Sequence, residues 1–204
     1  MASNGLANFF GIAGNILGFL FVFSPFPSFY QGVKDKEIKN VSFTYLLFIT
    51  ANCSLWTIYG IKLINYNIIV VNFIGLILNI IYIGMYLYII DKSDQIAYST
   101  LGIIGINILM YLIFPIVMLG LLSTVVLLGV YSSMIIKIKE TLLKKDPQYT
   151  NLFLTVATVC NTTIWVTYGC LISDWFIVVP NVYGAIINVK IGRASCRERV
   201  SSPV

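Results

Sequence analysis

The chain predicts an all-α membrane protein: seven transmembrane helices, arranged as two parallel three-helix bundles joined by one linker helix. Three observations carry this reading. Of 204 residues, 58% are hydrophobic and only 10% charged, against roughly 25% charged in soluble domains, and the mean hydropathy is +0.89. Apolar stretches recur at lengths near the ~20 residues a helix needs to cross the hydrocarbon. Finally, Asn52-x3-Trp56-x2-Tyr59-Gly60 followed by Asn72-x2-Gly75-x3-Asn79 is written a second time, at a constant offset of 109, as Asn161, Trp165, Tyr168, Gly169, Asn181, Gly184 and Asn188.

The first span covers 9–30. Its flank Met1–Asn8 holds no Lys or Arg and no small-residue cleavage site follows, so it reads as a retained helix and not a signal peptide. Residues 42–64 and 68–90 supply the second and third spans. Residues 96–138 are uncharged apart from Lys137 and about twice the length of one span, so they must fold as two helices. The offset maps 9–30 onto 118–139, with Ser24 on Ser133, which puts the break near Pro115–Gly120. Residues 96–117 then have no counterpart and form the linker. Residues 151–172 and 176–190 complete the set, the last one short. The expected division is therefore a first triple-helix bundle at 9–90, a linker at 96–117 and a second bundle at 118–190. Because a single linker returns the chain to its starting side, both triplets cross in the same sense, and features shared by both are expected on an axis along the membrane normal.

Lysine placement gives the orientation. Lys34, Lys36, Lys39, Lys92, Lys137, Lys139, Lys144 and Lys145 fall in alternate loops, and the other loops hold Lys62 alone. That asymmetry puts the N-terminus outside and the C-terminus in the cytoplasm. The net charge of +5 is thus a topology signal, and without a basic stripe on a soluble face no nucleic-acid partner is expected. The chain has no histidine, and Cys53, Cys160 and Cys170 have no metal-ligand spacing. With no nucleophile–base constellation either, neither an enzyme nor a cofactor or metal is expected.

No Asp, Glu, Lys or Arg lies deep in any span; Lys62 and Asp174 sit at helix ends. Ion-coupled carriers need an intramembrane carboxylate, so the pattern favours an uncoupled facilitator of a neutral substrate. What the spans offer is amide and indole. Asn52 and Trp56, like Asn161 and Trp165, are four apart and share a helix face, and Asn72 and Asn181 fall in the early turns of the third and seventh helices. Amides supply donors and acceptors for hydroxyls, and an indole face packs on the C–H face of a sugar ring. These pairs are expected to bind substrate. Asn15, Asn79, Asn107 and Asn188 are expected as interhelical clamps, and Gly60, Gly75, Gly169 and Gly184 as close-packing positions. Pro25, near the cytoplasmic end of the first helix, is expected to kink it.

Gly14-Asn15, Ser24-Pro25-x-Pro27-x-Phe29, Asn52-Cys53-x-Leu55-Trp56-x2-Tyr59-Gly60 and Val179-Pro180-Asn181-x2-Gly184 together resemble the SWEET (MtN3/saliva) sugar facilitators over residues 9–190, a family already known for parallel repeats. The resemblance implies a bidirectional, energy-independent uniporter of mono- or disaccharides, of the glucose or sucrose class, working by alternating access, most simply in the plasma membrane. It implies that Asn72 and Asn181 hydrogen-bond the sugar and that Trp56 and Trp165 flank it. Asn52 and Asn161 match further pocket positions where the family often has serine, and Phe21 and Val130 match positions that set pocket volume. Tyr59 and Asp174 match an extracellular gate pair. The chain departs from the family at three of four helix prolines: only Pro25 is kept, and Tyr45, Met134 and Leu154 stand at the others. The competing readings are a proton-coupled carrier of the related PQ-loop type, which lacks its carboxylate here, and a seven-helix receptor or sorting protein without flux, which the duplication disfavours. Besides sugar and the lipid bilayer, the sequence leaves a homo-oligomer open.

All three arginines, Arg193, Arg197 and Arg199, cluster after 190 residues that use lysine only, and Ile191–Val200 reads as one frame of a common sequencing adapter. Residues 191–204 are therefore expected to be non-native, with the last helix cut short near Lys190. Sequencing the genomic locus should show the frame diverging after Lys190; an unbroken frame through these codons overturns this expectation.

Overall fold

In the computed structural model, which describes residues 2–38, 42–144 and 152–201, the chain is helical throughout apart from short connections. The helices are α1 (Ala2–Phe23), α2 (Phe26–Asp35), α3 (Phe43–Leu63), α4 (Tyr66–Ile89), α5 (Gln95–Ile113), α6 (Ile116–Lys144), α7 (Leu152–Leu171) and α8 (Trp175–Ser201). Helices α1 and α2 are two parts of one span, so seven spans result. Among the described residues, five are long and apolar enough to cross a bilayer by length and composition: Gly5–Asp35, Phe43–Leu63, Tyr66–Ile89, Gln95–Ile113 and Ile116–Ser133. Helix α7, richer in Thr, and the shorter apolar stretch Trp175–Lys190 of α8 make up the rest.

Boundaries differ from the sequence reading where a single residue decides them. The first span starts earlier and runs further than 9–30, and it is interrupted at Ser24–Pro25. Pro25 has no N–H to give the carbonyl four residues back; the Phe21 carbonyl takes the Ser24 Oγ at 2.8 Å and the Ser24 amide at 3.3 Å instead. In the second repeat Ser133 Oγ donates to the Val130 carbonyl at 2.7 Å in the same way, but Met134 keeps its N–H and α6 continues unbroken. The long apolar run breaks at Phe114–Pro115, slightly earlier than the 117/118 boundary taken from the repeat: Phe114 is extended, as a residue before proline must be. Its carbonyl accepts Lys62 Nζ at 2.6 Å, so the lone lysine of its loop tethers α5 to the end of α3. Helix α8 runs through the suspected tail to Ser201. Lys39, Lys145 and the remainder of the loop before α7 lie outside the described residues.

The repeat is written into the turns as well as the helices. Ile64 and its counterpart Ser173 both adopt left-handed backbone (φ 54° and 57°). The next amide closes each helix end, Asn65 onto the Gly60 carbonyl at 2.9 Å and Asp174 onto the Gly169 carbonyl at 2.8 Å. Asn65 then caps α4 through the Ile68 amide, and Asp174 caps α8 through the Phe176 amide. These tight connections lay α3 along α4 and α7 along α8. Glycine allows the approach: a Cβ on Gly169 would stand 2.8 Å from Val178 Cγ2, and one on Gly60 3.0 Å from Ile69 Cγ1.

Packing divides the chain into two compact units, Met1–Leu17 with Thr124–Val204, and Gly18–Ser123. The core of the latter is built on Phe29, Leu46, Tyr82, Ile83 and Leu87, with the Phe29 and Tyr82 rings stacked at 4.8 Å. Tyr82 Oη donates to the Val22 carbonyl at 3.0 Å. The core of the former joins Tyr131 and Ile187 with Leu127 and Tyr183. Linker helix α5 has no buried residue and presents Leu101, Ile108 and Leu112 outward, as a helix bordered by lipid should.

Gly169→Ala should lower thermal stability in detergent by about 1–3 kcal/mol through overpacking. Gly102→Ala, in α5 with nothing within 4 Å of the new methyl, should raise it by about 0.5–1 kcal/mol. The opposite signs check the packing assignment directly.

Candidate functional site

Four of the amides obey one local rule. Asn72 Nδ2 donates to the Ile68 carbonyl and Asn181 Nδ2 to that of Ile177, each at 2.8 Å and each four residues back. Asn79 and Asn188 do the same to Gly75 and Gly184, also at 2.8 Å. In hydrocarbon the helix's own carbonyl is the acceptor always within reach. Since the nitrogen is the atom that must donate, each amide is oriented, and its oxygen points away from the helix backbone. Asn107, expected as a clamp, acts as one, donating to Ser54 Oγ at 3.1 Å as well as to Ile103. Asn15, expected in the same class, is buried, yet its Oδ1 meets no donor among the described residues.

Asn52 and Asn161 are the most informative pair. Both Oδ1 atoms are buried, and neither has a protein donor among the described residues. A carbonyl stranded in this way costs about 1–3 kcal/mol. Here the stranded oxygen recurs at the same position of both repeats. One turn further along each helix stands the indole. Trp56 meets Tyr59 edge-on at 5.6 Å and 84°, and Trp165 meets Tyr168 at 5.4 Å and 86°, the T-shaped geometry ring quadrupoles favour. Trp56 is buried and Trp165 half-buried. The phenol ring of Tyr59, expected at a gate, is thus the edge-on partner of the indole three residues away, and is itself buried. Asp174, its expected mate, belongs to the other unit and holds the N-terminus of α8, its Oδ1 accepting from the Phe176 amide at 3.0 Å. Phe21 is half-buried and Val130 buried, each beside the serine that bonds its carbonyl. Pro25 sits at the interruption between α1 and α2.

Two residues act at the site without a role assigned from the sequence: Gly14, quoted only within a motif, and Tyr131. Gly14 lies against the Trp165 indole, where a Cβ would come within 2.9 Å of Cε2; the glycine makes the space in which the indole lies. Tyr131 packs its ring over Gly184 and brings its hydroxyl to Asn181 Oδ1 at 3.4 Å. Its counterpart at offset 109 is Val22, and that change from valine to phenol is the signal that would have found it. Among the described residues no cluster of His, Cys, Asp or Glu could hold a metal.

Each unit thus offers a stranded amide oxygen, an indole and a second, oriented amide, on apolar helices and with charge confined to helix ends. That set belongs to a multi-pass integral membrane protein built on an internal repeat. The family described as "sugar efflux transporter for intercellular exchange" matches residues 8–94 and 117–190, and the chain belongs to this family. It is 26% identical to the bidirectional sugar transporter SWEET7b of Oryza sativa subsp. indica, across 89% of this chain and 73% of that one. It is 30% identical to the bidirectional sugar transporter SWEET9 of Arabidopsis thaliana, across 90% and 76%. A solved structure of a eukaryotic SWEET transporter superposes with a TM-score of 0.87 over 98% of this chain and 100% of the other, at 19% identity, a likeness of fold.

Gly14→Ala should push the Trp165 indole aside. In a variant keeping Trp165 as sole tryptophan, its emission should shift on this substitution while the helical circular dichroism stays unchanged; an unmoved spectrum would mean that the indole is not held by this contact.

Proposed function

We propose that the protein is a facilitative, bidirectional sugar uniporter that works by alternating access. The observation that carries this is the repeated stranded oxygen of Asn52 and Asn161, each one helical turn from an indole, in a chain of the sugar efflux family. A buried carbonyl oxygen calls for a donor, and a sugar hydroxyl is a neutral donor that a membrane helix can accept without burying charge. Asn72 and Asn181 add oriented amides, Trp56 and Trp165 add flat apolar faces for the ring, and Phe21 and Val130 bound the volume.

The driving force is the sugar gradient alone. Coupling to protons or sodium needs an ionisable group at membrane depth, and among the candidate residues only Asp174 is charged, at the start of α8. Binding exchanges the hydration of the hydroxyls for amide contacts, so net affinity stays modest and release to either side is fast. Tyr59 and Asp174 are the proposed outer-gate residues, a phenol and a carboxylate. The interruption at Ser24–Pro25 is the one break within a span among the described residues and serves as the inner hinge. The N-terminus faces outside and the C-terminus the cytoplasm, in keeping with the lysine-rich loops, and the plasma membrane is the proposed location.

Radiolabelled glucose and sucrose uptake in a transporter-deficient host should show saturable flux of at least one sugar, insensitive to a proton uncoupler. Asn181→Ala should abolish that flux with membrane insertion intact. Near-normal uptake by this variant would remove Asn181 from the pocket, and uncoupler-sensitive uptake would remove the uniport mechanism.

A further inference from the structure

The two matching amides, Asn72 and Asn181, are not equivalent, although the repeat makes them look so. Both donate through Nδ2 to their own helix. Beyond that they diverge, because the position facing Asn181 holds Tyr131 and the corresponding position in the first repeat holds Val22. The Tyr131 hydroxyl donates to Asn181 Oδ1 at 3.4 Å, and both side chains are buried, at 7% and 5% exposure. Tyr131 has little freedom to leave. Its ring lies so close over Gly184 that a Cβ there would fall 2.6 Å from two ring carbons. The next residue stitches the same two helices, Ser132 Oγ lying 3.0 Å from Tyr183 Oη. Valine has no polar hydrogen, so Val22 makes no such bond to Asn72.

An amide offers two N–H donors and an oxygen with two acceptor positions. On Asn181 one donor goes to the helix and the phenol takes one of the oxygen's two acceptor positions, so the second N–H is the group left wholly free for a guest. On Asn72 the oxygen meets no donor among the described residues. From this we infer that Tyr131 is a positioning residue that makes Asn181 a hydrogen-bond donor toward the sugar, while Asn72 serves as the acceptor. The inference rests on the transport reading above and assigns each amide its polarity. Asn181 then reads a sugar hydroxyl as acceptor, and Asn72 reads one as donor.

The test uses sugars in which each hydroxyl of the transported glucose, or of the glucosyl ring of sucrose, is replaced singly by hydrogen or by fluorine. Fluorine keeps weak acceptor character and loses the donor; hydrogen loses both. In the unsubstituted protein, one position should show the fluoro sugar competing about three- to tenfold better than the deoxy sugar. In Tyr131→Phe, which keeps the ring and removes only the hydroxyl, that gap should close to within about twofold, with KM for the parent sugar raised and the maximal rate nearly unchanged. Tyr131→Leu should give the same loss of discrimination and serves as the second variant. A purely structural role would weaken all analogues alike. If no position favours fluorine over hydrogen, or if both variants keep the gap, the role of Tyr131 is overturned while transport stands. Absence of saturable uptake for both parent sugars would instead remove the transport reading and this one with it.

Discussion

A bilayer interior contains no water to take up a loose hydrogen bond, so each polar side chain on these helices has to settle with whatever lies within reach. Most settle with the backbone carbonyl one turn earlier. Thr50, Thr57, Ser123 and Thr167 do so through their hydroxyls, and Asn72, Asn79, Asn181 and Asn188 through their amide nitrogens. For a hydroxyl this nearly exhausts the donor. For an amide it uses one hydrogen and turns the oxygen away from the helix. The candidate site follows from that constraint: its chemistry is set by which oxygens then find a protein donor and which, as at Asn52 and Asn161, do not.

Duplication makes the constraint visible twice. The left-handed residues at 64 and 173, the glycine carbonyls that close each helix and the edge-on tryptophan–tyrosine pairs recur at the same offset with nearly the same distances. Where the copies differ, function has room to be asymmetric. Proline at 25 against methionine at 134 leaves one first helix interrupted and the other continuous. Valine at 22 against tyrosine at 131 leaves one amide oxygen engaged and its counterpart without that bond. A repeat therefore supplies a scaffold of matched positions, and single substitutions decide what each copy contributes.

Much of the fold was legible beforehand because hydrocarbon thickness, proline and repeat spacing act locally. The spans at 42–64 and 68–90 fell within a residue or two of α3 and α4, since short polar turns bound them. The split of the 43-residue apolar run was placed near Pro115–Gly120 by the repeat together with the proline and glycine there, and the residue before that proline is where the helix stops. The interruption in the first span depended on the Ser24 hydroxyl rescuing the Phe21 carbonyl, a side-chain choice that hydropathy does not register. Within the site, residue type and four-residue spacing named the amides and indoles. They did not name Gly14 or Tyr131, whose roles arise from contacts with residues fifty or more positions away.

By itself the sequence determined that this is a duplicated membrane bundle with uncharged, amide-and-indole-bearing helices, because length, hydropathy and a fixed offset are properties of the chain before it folds. Tertiary structure decided which atom of each amide is left to meet a guest. That depends on a donor arriving from another helix, and whether one arrives is a matter of packing: a phenol over a glycine at Asn181, a valine at the matching place beside Asn72, and, among the described residues, no donor at the oxygens of Asn52 and Asn161.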